Sequence, residues 1–163
     1  MGRRGKIRVP GAALAACVCL ALPAVALAAT QTFNGTTPQG SKCGRLFNSR
    51  CVILIHVSGG KVKPPSHVQW IAKCPTGKVL TGDTSMHGAI KQNKFHAQGT
   101  YTAKGLGTTP SGAPVSARET VTISFAIKGR KATGSLSAKS TVLAGSTVID
   151  HCKTGKLYLS AKR

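Results

Sequence analysis

From residue 51 onward the chain largely alternates apolar and polar residues with a period of two, the repeat of strands whose side chains point to opposite faces. The clearest run is Glu119–Ile127. There Val121, Ile123, Phe125 and Ile127 point one way, while Thr122, Ser124 and Ala126 point the other. Cys51–Val57 carries β-branched residues on both faces and predicts a second strong strand. It runs into Ser58-Gly59-Gly60-Lys61, a hairpin turn, because glycine accepts positive φ without steric cost. His67–Cys74 places Val68, Trp70, Ala72 and Cys74 on one face. Gln31–Thr36, Lys78–Gly82, Ser85–Ile90, Lys94–Thr102, Ala132–Leu143 and Lys156–Lys162 read as further strands. In the last, Leu157, Leu159 and Ala161 share a face and Tyr158 looks away. Pro64-Pro65 predicts that the strand after the glycine turn is short or lies at an edge, since proline donates nothing to a ladder. Residues 104–117 hold several Gly, Pro and Ser and read as a loop. The expected fold is all-β, an antiparallel β-sandwich with a β-barrel as the alternative.

The first residues break this pattern. Arg3, Arg4, Lys6 and Arg8 precede an apolar run from Gly11 to Leu22, and Ala26-Leu27-Ala28 supplies a small-x-small exit. Basic start, apolar middle and small-residue exit are the three parts of a secretory signal peptide. Residues 1–28 are therefore expected to be a signal peptide and residues 29–163 one secreted domain with no transmembrane span. Leu14-Ala15-Ala16-Cys17 resembles a lipobox, but the chain stays apolar after Cys17, where a lipoprotein turns polar. Arg3-Arg4 is followed by residues that fit a twin-arginine signal poorly.

Export changes the reading of the cysteines. Cys43, Cys51, Cys74 and Cys152 remain beyond residue 28, an even number in a small exported chain, and predict two disulfides. The expected pairs are Cys43–Cys51, closing a local loop, and Cys74–Cys152, tying the middle to the C-terminal region. No pair has the tight spacing of a structural zinc site.

Charge changes the picture most. The chain carries 23 Lys and Arg against 3 acids, a net charge of +20. Without the four cations of the signal segment the charge is +16, and the acids are Asp83, Glu119 and Asp150. Such an imbalance attracts polyanions at low salt. Lys61 and Lys63 sit by the glycine turn, and Lys128, Arg130 and Lys131 form a second turn with Gly129. Lys42, Arg45 and Arg50 lie in or beside the loop expected between Cys43 and Cys51. If these loops gather at one end of the fold they make a polyanion-binding face. Sequence-specific nucleic-acid binding is not expected. Phe33, Phe95, Phe125 and Trp70 read as core, which leaves Tyr101, Tyr158 and Phe47 as stacking platforms.

Catalytic chemistry is poorly provided for. Three acids give little scope for paired-carboxylate work, no Ser sits in a nucleophile elbow, and Cys152 is expected in a disulfide. If Ile90 and Phe95 paired across the turn at 91–94, His87 and His96 would become diagonal neighbours about 7–8 Å apart. That pair is the weak candidate for a metal site, or for a metal-free nuclease. The main reading has no cofactor and no metal. A secreted inhibitor presenting residues 104–117 is a further alternative.

Several short stretches resemble a group of uncharacterised secreted single-domain β proteins of actinobacteria. They are Phe33-Asn34-Gly35-Thr36-Thr37, Ile55-His56-Val57-Ser58-Gly59-Gly60-Lys61-Val62, Lys94-Phe95, Gly129-Arg130-Lys131-Ala132-Thr133-Gly134 and Cys152-x-x-Gly155. The resemblance implies a β-sandwich or barrel and no assigned activity. Residues 41–51 look like an addition to that pattern. The expectation is a non-enzymatic secreted or envelope-associated protein that binds an anionic cell-wall polymer or another polyanion.

Overall fold

In a computed structural model that describes residues 29–40 and 51–163, the chain forms ten strands and, among the described residues, no helix. They are β1 (Gln31–Thr36), β2 (Val52–Ser58), β3 (Lys61–Lys73), β4 (Val79–Ser85), β5 (Gly88–Ala89), β6 (Lys94–Ala103), β7 (Val115–Lys128), β8 (Lys131–Ala144), β9 (Thr147–Lys153) and β10 (Leu157–Lys162). Every pairing between them is antiparallel. The strand order is β10-β1-β2-β3-β9-β8-β7-β6, and β10 also pairs β8. That extra pairing closes a ring of six strands, so the all-β antiparallel fold takes the closed form. β7 and β6 continue the sheet past β8, while β4 and β5 flank β3. No helix among the described residues is long and apolar enough to cross a membrane.

The alternation sets the inside. Ile53, Ile55 and Val57 of β2, Val121, Ile123, Phe125 and Ile127 of β7, and Leu157, Leu159 and Ala161 of β10 are buried in one cluster with Phe33 and Trp70. Each large aliphatic or aromatic side chain so buried contributes roughly 1.5–3 kcal/mol. Phe95 and Phe125 are cross-strand partners with stacked rings 4.8 Å apart. Trp70 reaches the core only because position 82 is glycine. A Cβ there would stand 2.1 Å from the indole.

The proline pair does not shorten its strand. β3 runs thirteen residues and is paired on both edges. The register against β2 shifts between Leu54 and His56, so Pro64 and Pro65, joined by a cis bond, occupy a bulge where no ladder bond is required. The buried Ser66 hydroxyl repairs the gap. It accepts from His56 N at 2.8 Å and donates to Lys63 O at 2.6 Å.

Two further placements differ from the pattern reading. β9 was not among the expected strands. A second register shift, at Val142 and Leu143, breaks its alternation and leaves Val148 and Ile149 both exposed. The stretch before β6 pairs with β3, Lys61 facing Ala89 and Val62 facing Gly88, and turns back onto β6 through a single bridge between Lys91 and Lys94. Ile90, next to that bridge, gives its N–H to Gly60 of the β2–β3 turn.

The seam between β3 and β9 is a single residue pair, Lys73 with Lys153. The expected Cys74–Cys152 disulfide joins the adjacent residues and staples that seam across 78 positions of sequence. Cys51 is buried and disulfide-bonded. Its expected partner, Cys43, lies outside the described residues, as do Lys42, Arg45, Arg50, Phe47 and the signal segment.

Candidate functional site

The two basic turns are tied into one end of the barrel by backbone hydrogen bonds. Gly59 and Gly60 have φ of 56° and 70°, the left-handed conformation that a two-residue hairpin turn demands. Gly60 O accepts from Ile90 N at 2.8 Å. Lys91 and Lys94 bond each other's main chain at 2.9 and 2.8 Å, and Asn93 O accepts from Ile127 N at 2.8 Å. The next residue is Lys128, paired with Lys131, and Lys131 is paired in turn with Lys162. Arg130 O accepts from Arg163 N at 3.0 Å. The segment 88–94 thus bridges the turn that bears Lys61 and Lys63 to the turn that bears Lys128, Arg130 and Lys131. It adds Lys91 and Lys94, and the C-terminal strand adds Lys162 and Arg163. All nine side chains are exposed.

None of the three acids lies there. Asp83 stands opposite Gln69 and accepts its side-chain amide at 3.1 Å. Asp150 takes the Thr76 hydroxyl, beyond the far end of β3. Glu119 is eight residues, about 27 Å along the strand, from Ile127. Nine cations therefore share this end with no acid among them, although Lys73, Lys139 and Lys153 also lie side by side at the far end.

His96 lies exposed on the outer side of β6, with Nδ1 2.7 Å from the Ser124 hydroxyl. His87 lines a slot of about 250 Å³ between β4 and β6, with Met86, Ala97, Tyr101, Val121 and Ile123. Among the described residues, one trio of metal-ligand types converges: Cys74, Asp150 and Cys152. Both of its sulfurs are consumed by the disulfide.

The pattern reading missed a polar relay that runs from the buried Trp70 through the exposed Tyr101 to the buried Glu119. Trp70 Nε1, which can only donate, gives its hydrogen to Thr84 Oγ1 at 2.9 Å. The Thr84 hydroxyl is then left to donate to Tyr101 Oη at 3.4 Å, and Tyr101 donates to Glu119. Glu119 is 2 % exposed. Burial pushes its carboxyl above the usual range, and the Tyr101 bond only partly offsets this. Burial likewise drives the Tyr101 phenol far up, and the bond to Glu119 adds to the shift. Tyr101 is therefore a neutral donor, with no tendency to act as a phenolate. Glu119 Oε2 and the hydroxyl of its cross-strand neighbour Ser140 are buried without hydrogen-bond partners. A sequence signal existed: Glu119 is in phase with Val121, Ile123, Phe125 and Ile127, so the alternation itself places it inside.

No family model, no curated protein and no solved structure matches this chain. The functional reading rests on its own residues.

Proposed function

We propose that this chain is a non-enzymatic secreted or envelope-associated protein that holds anionic polymer, with cell-wall polymer as the principal candidate, on its basic end. The single observation that carries the reading is the hydrogen-bonded continuity of that end, from Lys61 through Lys94 and Lys128 to Arg163, with no acid within it. Repulsion among so many like charges costs stability, and a bound polyanion relieves it. Lys61, Lys63, Lys128, Arg130 and Lys131 make the main contacts. The basic, apolar and small-residue start of the chain supports export. The exposed aromatics among the described residues, Tyr101 and Tyr158, both lie outside the basic turns, so recognition is of charge and not of stacked bases.

The test is co-sedimentation of the oxidised protein with isolated cell-wall material across a salt series. Each phosphate-like contact released should steepen the dependence of log affinity on log salt by somewhat under one, about 0.7–0.9 for nucleic acids. Binding that falls steadily with salt, and that weakens when Lys128→Glu and Arg130→Glu are combined, supports the reading. Absence of binding at low salt, or binding indifferent to that double variant, overturns it.

A further inference from the structure

The opposite end of the barrel carries a cleft of about 370 Å³ that neither the charge nor the alternation announces. Its apolar lining is Val79, Leu80, Leu106, Val115, Val142 and Ile149, with Cys74 beside them. Val79 is 51 %, Leu106 42 % and Ile149 45 % exposed, so several of the largest exposed aliphatic side chains meet in one concavity. Leaving them against water is unfavourable, and clustering of this kind marks an interaction site.

Three devices build the cleft. First, the register shift between β8 and β9 pairs Val142 with Asp150 and Leu143 with Val148, leaving Ile149 as the extra residue. A bulge of this sort re-aims a side chain, here into the cleft. Second, the turn after β3 is pinned. Cys74 N donates to Lys78 O at 3.0 Å, and Thr76 donates to Asp150, whose other oxygen accepts His151 N at 2.8 Å. Third, the segment before β7 is closed by its own bonds. Leu106 N donates to Val115 O at 3.1 Å, Val115 N to Gly107 O at 2.8 Å and Thr109 N to Ala113 O at 2.9 Å, while Gly145 N anchors Pro114 O at 2.9 Å. The walls are thus preformed, as small-molecule sites usually are, and the volume falls within their range of about 300–1,000 Å³.

The rim selects the occupant. Asp150 keeps its charge but has both oxygens engaged within the protein, so Lys78 is the charged lining group free to hydrogen-bond a ligand. The strongly positive chain adds a field that draws anions. From these observations we infer that the cleft binds a small single-chain anionic amphiphile. Its aliphatic chain lies against Leu106, Val142 and Ile149, and its carboxylate or similar head meets Lys78. This site is separate from the basic end and does not depend on the polymer reading.

The test uses the oxidised protein and a polyene fatty acid whose fluorescence rises in apolar surroundings, with decanoate and decyltrimethylammonium as competitors. One saturable site is expected, and decanoate should displace the probe roughly tenfold better than the cationic amphiphile. Ile149→Asp and Leu106→Asp lie on different walls and alter exposed side chains. Each should weaken probe binding by about tenfold or more, since a charge then replaces an apolar contact. Lys78→Ala should narrow the preference for decanoate. Combined Lys128→Glu and Arg130→Glu should leave probe binding unchanged. Absence of saturable binding overturns the inference. So does a probe signal lost with the Lys128 and Arg130 reversals but retained in both aspartate variants, because the amphiphile then sits on the basic end. Should one aspartate variant fail to fold, the other carries the same test.

Discussion

At one end of the barrel β2–β3 and β7–β8 are joined by two-residue turns, and the β7–β8 ladder reaches the last pair, Lys128 with Lys131, without a break. At the other end the ring meets through a single pair between β3 and β9, next to a disulfide, and longer segments are fastened by side chains such as Thr76 and Asp150. At the basic end the β7–β8 ladder is complete and the β2–β3 bulge is bridged by Ser66, so the lysines and arginines there are spared to carry charge. The disulfide end lacks that continuity. It is held by a covalent bond and side-chain hydrogen bonds, and it exposes the aliphatic groups that line its cleft. Where a ladder is complete, side chains are released to carry charge; where it is thin, side chains are spent on fastening and a concavity remains.

This contrast can be broken most forcefully at the disulfide. Replacing Cys74 and Cys152 by Ser opens a loop of 78 residues. The chain-entropy estimate for such a loop is about 4.5 kcal/mol. Calorimetric melting should show a loss of that order, and amide exchange should place the added opening at β9 and residues 74–78. Equal loosening of the basic turns would end the contrast. At the other end Ser66→Ala leaves His56 N and Lys63 O without their bridging hydroxyl. Denaturant titration should give a loss of about 1–3 kcal/mol. A neutral result would mean that water repairs the bulge. Reversing Lys128 and Arg130 should move stability by no more than about 0.5 kcal/mol, as at exposed sites generally, while polymer affinity and its salt slope both fall.

The smallest effect is one of pH. Glu119 has a folded pKa raised by burial, so its protonated form is the one the native state favours. Its contribution is fully present below the unfolded carboxyl pKa and is lost as pH rises through the folded value. Wild-type stability should therefore decline, relative to Glu119→Gln, as pH climbs out of the acid range. Parallel stability-against-pH curves for the two proteins would mean that Glu119 is not held in this way.

Much of the fold was legible because period-two alternation reports a face directly. β1 and the inner rows of β7 and β10 could be read that way, while the basic turns were marked by glycine and the Cys74–Cys152 pair by the even cysteine count. What escaped depends on departures from that period or on long-range pairing. Ile149 is an inserted residue, so β9 does not alternate. Pro64-Pro65 is tolerated because Ser66 supplies bonds from outside the ladder. β5 pairs with β3, a choice made by tertiary packing that no local pattern encodes. The basic end was partly legible: the cationic turns are local features, but the bridge through 88–94 is not. The cleft was hidden because its walls come from three distant stretches, one of which read only as a loop.

The disulfide also has a mechanical meaning. It divides the polypeptide into a covalent ring holding β4 to β9, an arm holding β1 to β3, and a second arm holding β10. A pull on residues 29 and 163 can strip the arms but cannot lengthen the ring, which withholds about 270 Å of contour at roughly 3.5 Å per residue. A molecule tethered in a strained polymer mesh would yield in its arms first and keep its apolar cleft within the protected ring.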